Sequence, residues 1–148
     1  MMKITTKGRY GTRLLLDLAV NFGGNPILLK DIAKRQDISE KYLGHLIPPL
    51  KLAGLINSSR GAHGGYMLAK APNEITFSEI IKAVEGHTVV TECVSSPSVC
   101  NRSDLCVCRD VWTELSEKTM EILRSITLQD VVKKQIEMQK SKPLMYYI

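Results

Sequence analysis

Residues 30–69 read KDIAKRQDISEKYLGHLIPPLKLAGLINSSRGAHGGYMLA, and their order sets the architecture of the 148-residue chain. Lys30 to Gln36 is a short helical stretch with Ile32 and Ala33 turned inward. Asp37-Ile38-Ser39 is a tight connection. Ser39 is a good N-cap, because its hydroxyl can accept an orphan amide of the next helix. Glu40 and Lys41 open that helix, Tyr42, Leu43, Leu46, Ile47 and Leu50 form its buried face, and Gly54 stops it. Two short helices joined by a three-residue turn make a helix-turn-helix, whose second helix enters a DNA major groove. Its outward residues are Glu40, Lys41, Gly44 and His45. Pro48-Pro49 falls inside it. Proline removes a helical donor and clashes with the preceding turn, at a cost of ~3 kcal/mol. The pair therefore predicts a kink or break, with Glu40 to Ile47 as the reading segment and Leu50 to Ala53 as a separate turn.

Leu55 to Ser59 then reads as a strand, Arg60 to Gly65 as a glycine-rich turn, and Tyr66 to Ala69 as a returning strand. A hairpin directly after a helix-turn-helix is a wing. Its tip carries Arg60, Gly61 and His63, on a backbone that glycine lets approach a ligand closely. Arginine at such a tip suits a narrow minor groove. A hairpin with no nucleic-acid role has the same local pattern.

Upstream, Thr5 or Thr6 can cap a helix in which Tyr10, Leu14, Leu18 and Phe22 recur every four residues, with Leu15 and Ala19 beside them. Gly23-Gly24 is placed to end it. Lys7, Arg9 and Arg13 lie near its start. Asp17 interrupts the leucines and no small-residue cleavage site follows, so the segment does not read as a signal peptide. No apolar run is long enough to span a membrane. A cytoplasmic, reducing setting is the expectation, and it disfavours structural disulfides. Pro26 to Leu29 suits either a short strand or a helix lead-in.

The net charge of +5 is uneven. Residues 1–73 hold eleven Lys/Arg against four acids, a net of +7, and residues 74–148 hold nine against eleven, a net of −2. A basic half joined to a slightly acidic half suggests nucleic-acid binding by one part and another task for the other. A solvated basic face without a partner has the same composition.

Downstream, Thr76-Phe77-Ser78-Glu79 is a capping box that opens a helix with Phe77, Ile80, Ile81 and Val84 inward and Gly86 as its stop. All four cysteines follow, Cys93, Cys100, Cys106 and Cys108, in a stretch rich in Ser, Pro and Asn that reads mostly as loop. From Asp110, Val111, Trp112, Leu115, Thr119, Ile122, Leu123 and Ile126 mark a helix of near sixteen residues. Thr127 caps another, with Leu128, Val131, Val132 and Ile136 apolar. The long helix has little intrachain partner surface. Pairing with the same helix of a second copy would bury it, as would packing back on its own first domain.

The cysteine gaps are six, five and one residues. Zinc knuckles use thiols two to four residues apart, so that pattern is absent. An iron–sulfur site and a thiol switch remain open. Arg102 and Arg109 favour thiolate in a neighbour. If residues 106–108 are helical, Cys106 and Cys108 lie about 200° apart and cannot converge. No enzyme is indicated: His45, His63 and His87 lack a paired nucleophile, and there is no phosphate loop.

The segments MKITTKGRYGTRLLLDLA (2–19), SSRGAHGGYMLAK (58–70), ITFSEIIKAVEG (75–86), the cysteine loop and ITLQDVV (126–132) together resemble the Rrf-two family of winged-helix regulators, and within it the iron–sulfur cluster regulators of the IscR type. The resemblance covers residues 2 to about 136. It implies a mainly α fold with a small β-hairpin wing, comprising a winged helix-turn-helix domain (1–75), a connecting helix and cluster loop (76–108), a dimerisation helix with a following helix (109–142), and a tail (143–148). It further implies a cytoplasmic homodimer on a double-stranded DNA operator, touching it through Lys7, Arg9, Arg13, Ser39, Glu40, Lys41, Tyr42, Gly44, His45, Arg60, Gly61 and His63. The cofactor implied is an iron–sulfur cluster, 2Fe–2S rather than 4Fe–4S, on Cys93, Cys100 and Cys106. The sequence departs from the family in its six-residue first gap and in Arg109, which stands where some members carry a histidine ligand; arginine stays protonated and cannot ligate. No Asp stands near Gly8 or Arg9 to serve a partner's cluster. Cys108 is the fourth ligand favoured by chemistry, with Asp104, Asp110, His87 or a ligand from outside the chain as alternatives. The function implied is transcriptional control by cluster status, directed at cluster-biogenesis genes. The rivals are a thiol-redox or nitric-oxide-responsive repressor of the same fold, and an adaptor whose basic face binds acidic protein.

Overall fold

Thr5 accepts a hydrogen bond from the Lys7 amide and starts α1 (Thr6–Val20). The computed structural model describes residues 3–86 and 88–142. The expectations for His87 and for the 143–148 tail lie outside these residues. Leu14, Leu15, Leu18 and Ala19 form the buried stripe of α1, but Phe22 does not extend it. The Asn21 side chain donates to the Asp17 carbonyl at 2.8 Å and closes the helix early, leaving Phe22 exposed in the turn before Gly23.

Ile27 forms an isolated bridge to Tyr66 of the wing, and Leu29 begins α2 (Leu29–Gln36), so the Pro26–Leu29 segment serves as both strand and lead-in. Asp37 takes a left-handed conformation at the turn, and Ser39 caps α3 (Glu40–Leu52) by accepting from the Tyr42 amide. α3 runs unbroken through Pro48 and Pro49, against expectation. Leu43 and Leu46 before the prolines, and Leu50 after them, are buried on one face. Each buried leucine contributes roughly 1.5–3 kcal/mol, so their sum is comparable to the ~3 kcal/mol cost of each proline and holds both halves on the same core.

β1 (Ile56–Ser59) and β2 (Gly65–Leu68) pair antiparallel, with Ile56 opposite Leu68 and Ser59 opposite Gly65. α4 (Phe77–Glu85) lies on α1 at close range. A Cβ added at Gly8 would stand 2.6 Å from the Glu85 carboxylate, which accepts from the Thr5 amide, the Thr5 hydroxyl and the Gly8 amide at 2.9, 2.8 and 3.1 Å. The end of α4 thus grips the start of α1. Asp17, buried in α1, accepts from Arg35 and Gln36 of α2. The hydrogen bond to Asp17 raises the Arg35 pKa above its usual value.

The cysteine segment folds into a single turn α5 (Glu92–Ser95), two 3-10 turns (Pro97–Val99 and Ser103–Leu105), and then α6 (Val107–Ser125). α6 starts three residues before Asp110, the expected start. α7 (Leu128–Ser141) returns to α1 and adds Leu128 and Val132 to the common core. α4 and α7 begin side by side. Thr76 bridges Thr127, the Phe77 amide donates to the Ile126 carbonyl, and the Leu128 amide donates to Ile75. Each start carries a capping box, Thr76 with Glu79 and Thr127 with Asp130.

Burial acts to raise the Glu79 pKa, but hydrogen bonds from Lys70 and from the Thr76 amide and hydroxyl outweigh it and leave the carboxyl below its usual range. A depressed folded pKa stabilises the fold above the unfolded value, and that stability is lost as pH falls through the folded value. The stability of Glu79→Gln is therefore expected to trail wild type at neutral pH, with the gap starting to close near the unperturbed Glu value of about 4.3 and closing fully only below the depressed folded value. Denaturation at a series of pH values checks this, and a gap that stays constant into acid contradicts it.

Candidate nucleic-acid interface and cysteine loop

The basic residues gather where α1 starts, along α3 and at the wing tip. Lys7, Arg9, Lys41, His45, Arg60, Gly61 and His63 are exposed. Among the described residues, Lys7, Arg9, Lys41 and Arg60 form no ion pair. Tyr42 packs edge-on against Tyr10, with ring centres 5.4 Å apart, and the Arg9 and Arg13 guanidiniums lie 5.8 and 5.6 Å from the Tyr10 ring. Arg13 donates to the side chain and carbonyl of Gln36, so it braces α1 against the end of α2. Ser39 spends its hydroxyl on the cap of α3. Arg13, Ser39 and Tyr42 thus hold the helix-turn-helix in shape, while Lys7, Arg9, Lys41 and Arg60 stay exposed.

Two recesses flank α3. One, of about 520 Å³, is lined by Lys7, Tyr42, His45, Leu46, Pro49 and Val84. The other, of about 620 Å³, lies between the wing and the starts of α2 and α3, and Lys30, Glu40, Ser58 and Arg60 are among its walls. His45 thus shares a recess with Lys7, and Glu40 shares a cleft with Arg60.

All four cysteines are free. Cys93 is half-buried in α5, with its sulfur 3.1 Å from the Thr91 hydroxyl. Cys100 is exposed after the first 3-10 turn. Cys106 is the N-cap of α6 without a side-chain cap bond, and Cys108 is exposed in the first helical turn. Gathering Cys108 with Cys106 would require that turn to unwind. Asp104 and Asp110 are exposed. In kind, these thiols suit an iron–sulfur cluster. In arrangement, no three His, Cys, Asp or Glu side chains among the described residues are placed to hold a metal ion.

The loop is tied to α6 by two bonds. Arg109 Nε donates to the Cys93 carbonyl at 2.8 Å, and the Val90 amide donates to Ser116 Oγ at 3.0 Å. The sequence offers Arg109 as a non-ligand and as a cation that favours thiolate, and gives no sign of Ser116; each pairs across a distance that no local pattern encodes. α6 packs on α4, buries Ser116 and Met120, and leaves Val107, Val111, Trp112 and Ile122 exposed.

A helix-turn-helix with a hairpin wing and an exposed basic face is the architecture of a winged-helix DNA-binding protein. The Rrf2 family model, described as an iron-dependent transcriptional regulator, matches residues 4–134, and the chain belongs to that family of transcriptional regulators. It is 42% identical over 132 residues to protein rrf2 of Nitratidesulfovibrio vulgaris, covering 89% of this chain and 88% of that one. It superposes on the structure of T. potens IscR with a TM-score of 0.78 at 40% identity, covering 99% and 97% of the two chains. It superposes on CymR, described as the global cysteine regulator of B. subtilis, with a TM-score of 0.75 at 38% identity, covering 90% and 98%. Regulators of this family are not enzymes. No helix among the described residues is long and apolar enough to cross a membrane.

Proposed function

We propose that this regulator binds operator DNA as a cytoplasmic homodimer and that its cysteine loop senses iron–sulfur status. The observation that carries the reading is the pair of bonds from the loop to α6, Arg109 to Cys93 and Val90 to Ser116. α6 in turn rests on α4, and α4 holds the first turn of α1 through Glu85. A change in the loop is thereby mechanically connected to the DNA-binding face. The exposed apolar face of α6 suits pairing with a second copy, which would present two copies of α3 to successive major grooves. Functionally, residues 1–75 contact DNA, 76–108 sense and 109–142 pair the subunits.

Cys93, Cys100 and Cys106 would hold the cluster, with Cys108 the first candidate for the fourth position. When bound, a cluster supplies an oxygen- and redox-sensitive cross-link among thiolates. Genes for cluster biogenesis are the fitting targets of such a sensor. The second reading is a thiol switch, favoured by the exposure of Cys100 and Cys108 and by the ungathered donors.

Anaerobic purification with iron and sulfide analysis tests this. A coloured protein with both elements bound, losing colour and its cluster-dependent change in operator affinity in Cys106→Ala, is the expected result. A colourless wild type that reconstitution does not restore sinks the cluster reading and leaves the thiol switch. Duplex binding should weaken steeply with salt through counterion release. A flat salt dependence would instead point to the adaptor.

A further inference from the structure

Ten glycines occur in the chain, and nine of them have a reason in the fold. Each of the nine has either a left-handed backbone or a neighbour within 3.2 Å of where a Cβ would stand. Gly44 alone has neither. Its nearest neighbour would be the Leu29 side chain at 4.0 Å, which is ordinary contact. Glycine is nonetheless among the poorest helix formers, and this one sits mid-helix. One turn on, along the same face, comes the exposed Pro48, the poorest former of all. Pro48 also supplies no amide to the Gly44 carbonyl. Lys41, Gly44 and Pro48 thus run along the outward side of α3 at helical spacing, opposite the buried Leu43, Leu46 and Leu50. Local rules that fail without a packing cause mark functional positions.

We propose that Gly44 is the point of closest approach of α3 to the major-groove edge of a base pair, and that its missing side chain determines which base is accepted there. The slot is bare and has apolar Leu29 as its nearest wall, which suits the methyl group of thymine. Lys41, one turn earlier, offers a donor to the adjoining base. His45 faces the recess shared with Lys7 and serves the phosphate side. The proposal rests on the DNA-binding reading and adds a base-specific contact to it.

The experiment selects duplexes from a randomised pool with wild-type protein, then compares wild type and Gly44→Ala on the selected sequence and on random duplex. Gly44→Ala is expected to melt higher by about 2–4 °C, since alanine favours helix and the fold has room for it. It should bind the selected sequence about 10-fold or more weakly, because the added methyl displaces the helix from a base contact of the usual strength. Binding to random duplex and its salt slope should not change, since the phosphate contacts are elsewhere. Replacing thymines of the selected sequence by uracil should cost wild type affinity at one position per half-site and cost Gly44→Ala nothing there. Equal affinity of the two proteins for the selected sequence overturns the proposal, and uracil without effect at every position overturns the thymine assignment. A wild type that enriches no sequence overturns the DNA-binding reading itself.

Discussion

Leu128→Ala is expected to cost about 2–5 kcal/mol, the range for truncating a leucine in a closed core. Leu128 is 0% exposed, and its amide is bonded to the Ile75 carbonyl beside the Thr76–Thr127 bridge. The surrounding backbone is pinned by the two hydrogen bonds of that bridge and resists collapse into the space, which places the cost toward the upper end. α7 packs on α1, so the loss loosens the helix that carries Lys7 and Arg9. Urea denaturation should show a lower midpoint with an unchanged slope, together with weaker duplex binding. A loss under about 1 kcal/mol would mean that α7 is a peripheral helix, since core leucines do not come out so cheaply.

Gly65→Ala should be at least as damaging, by a different route. Gly65 has a φ of +145°, a conformation essentially confined to glycine, and imposing it on alanine costs about 1–3 kcal/mol. The added Cβ would also run into the Ile27 carbonyl. Backbone has nowhere to go there, because Ile27 and Tyr66 exchange two hydrogen bonds of 2.9 and 2.8 Å. The substitution must break that bridge, and with it the seating of the wing on the lead-in to α2. Faster amide exchange at Ile27 and Tyr66, with duplex affinity reduced to the level of random binding, is the expected outcome. Intact exchange protection with full affinity would show that the wing does not depend on this contact.

The helix-turn-helix, the wing and the capping box of α4 were legible because their signals are local. Ser39 caps, Gly86 stops, and Thr76 with Glu79 spans four residues. The prolines of α3 were misread because their local cost was set against nothing; the opposing term lies in leucines buried against other elements. The start of α6 was missed because Cys106-Val107-Cys108 contains none of the usual capping residues, and Cys106 makes no side-chain cap. Asp17 was visible only as a charge among leucines. Its partner Arg35 lies 18 residues away, beyond any helical or turn pattern. The apolar face of α7 was readable, but periodicity says that a face is buried and not what buries it. The cysteines were legible as donors by type. Their spacing in space depends on loop turns that spacing in sequence does not encode.

Because Thr76 and Thr127 meet, α4 and α7 enter the core from almost the same place. Everything between, the cysteine turns and α6, is spliced into the DNA-binding unit rather than appended to it. On a ribosome working from the N-terminus, the recognition helix and wing emerge long before the residues that complete their core. A nascent chain halted after the wing lacks Leu128 and Val132, two of the side chains that close that core. The order of synthesis therefore delays a finished winged-helix unit until the cysteine turns and α6 have been made.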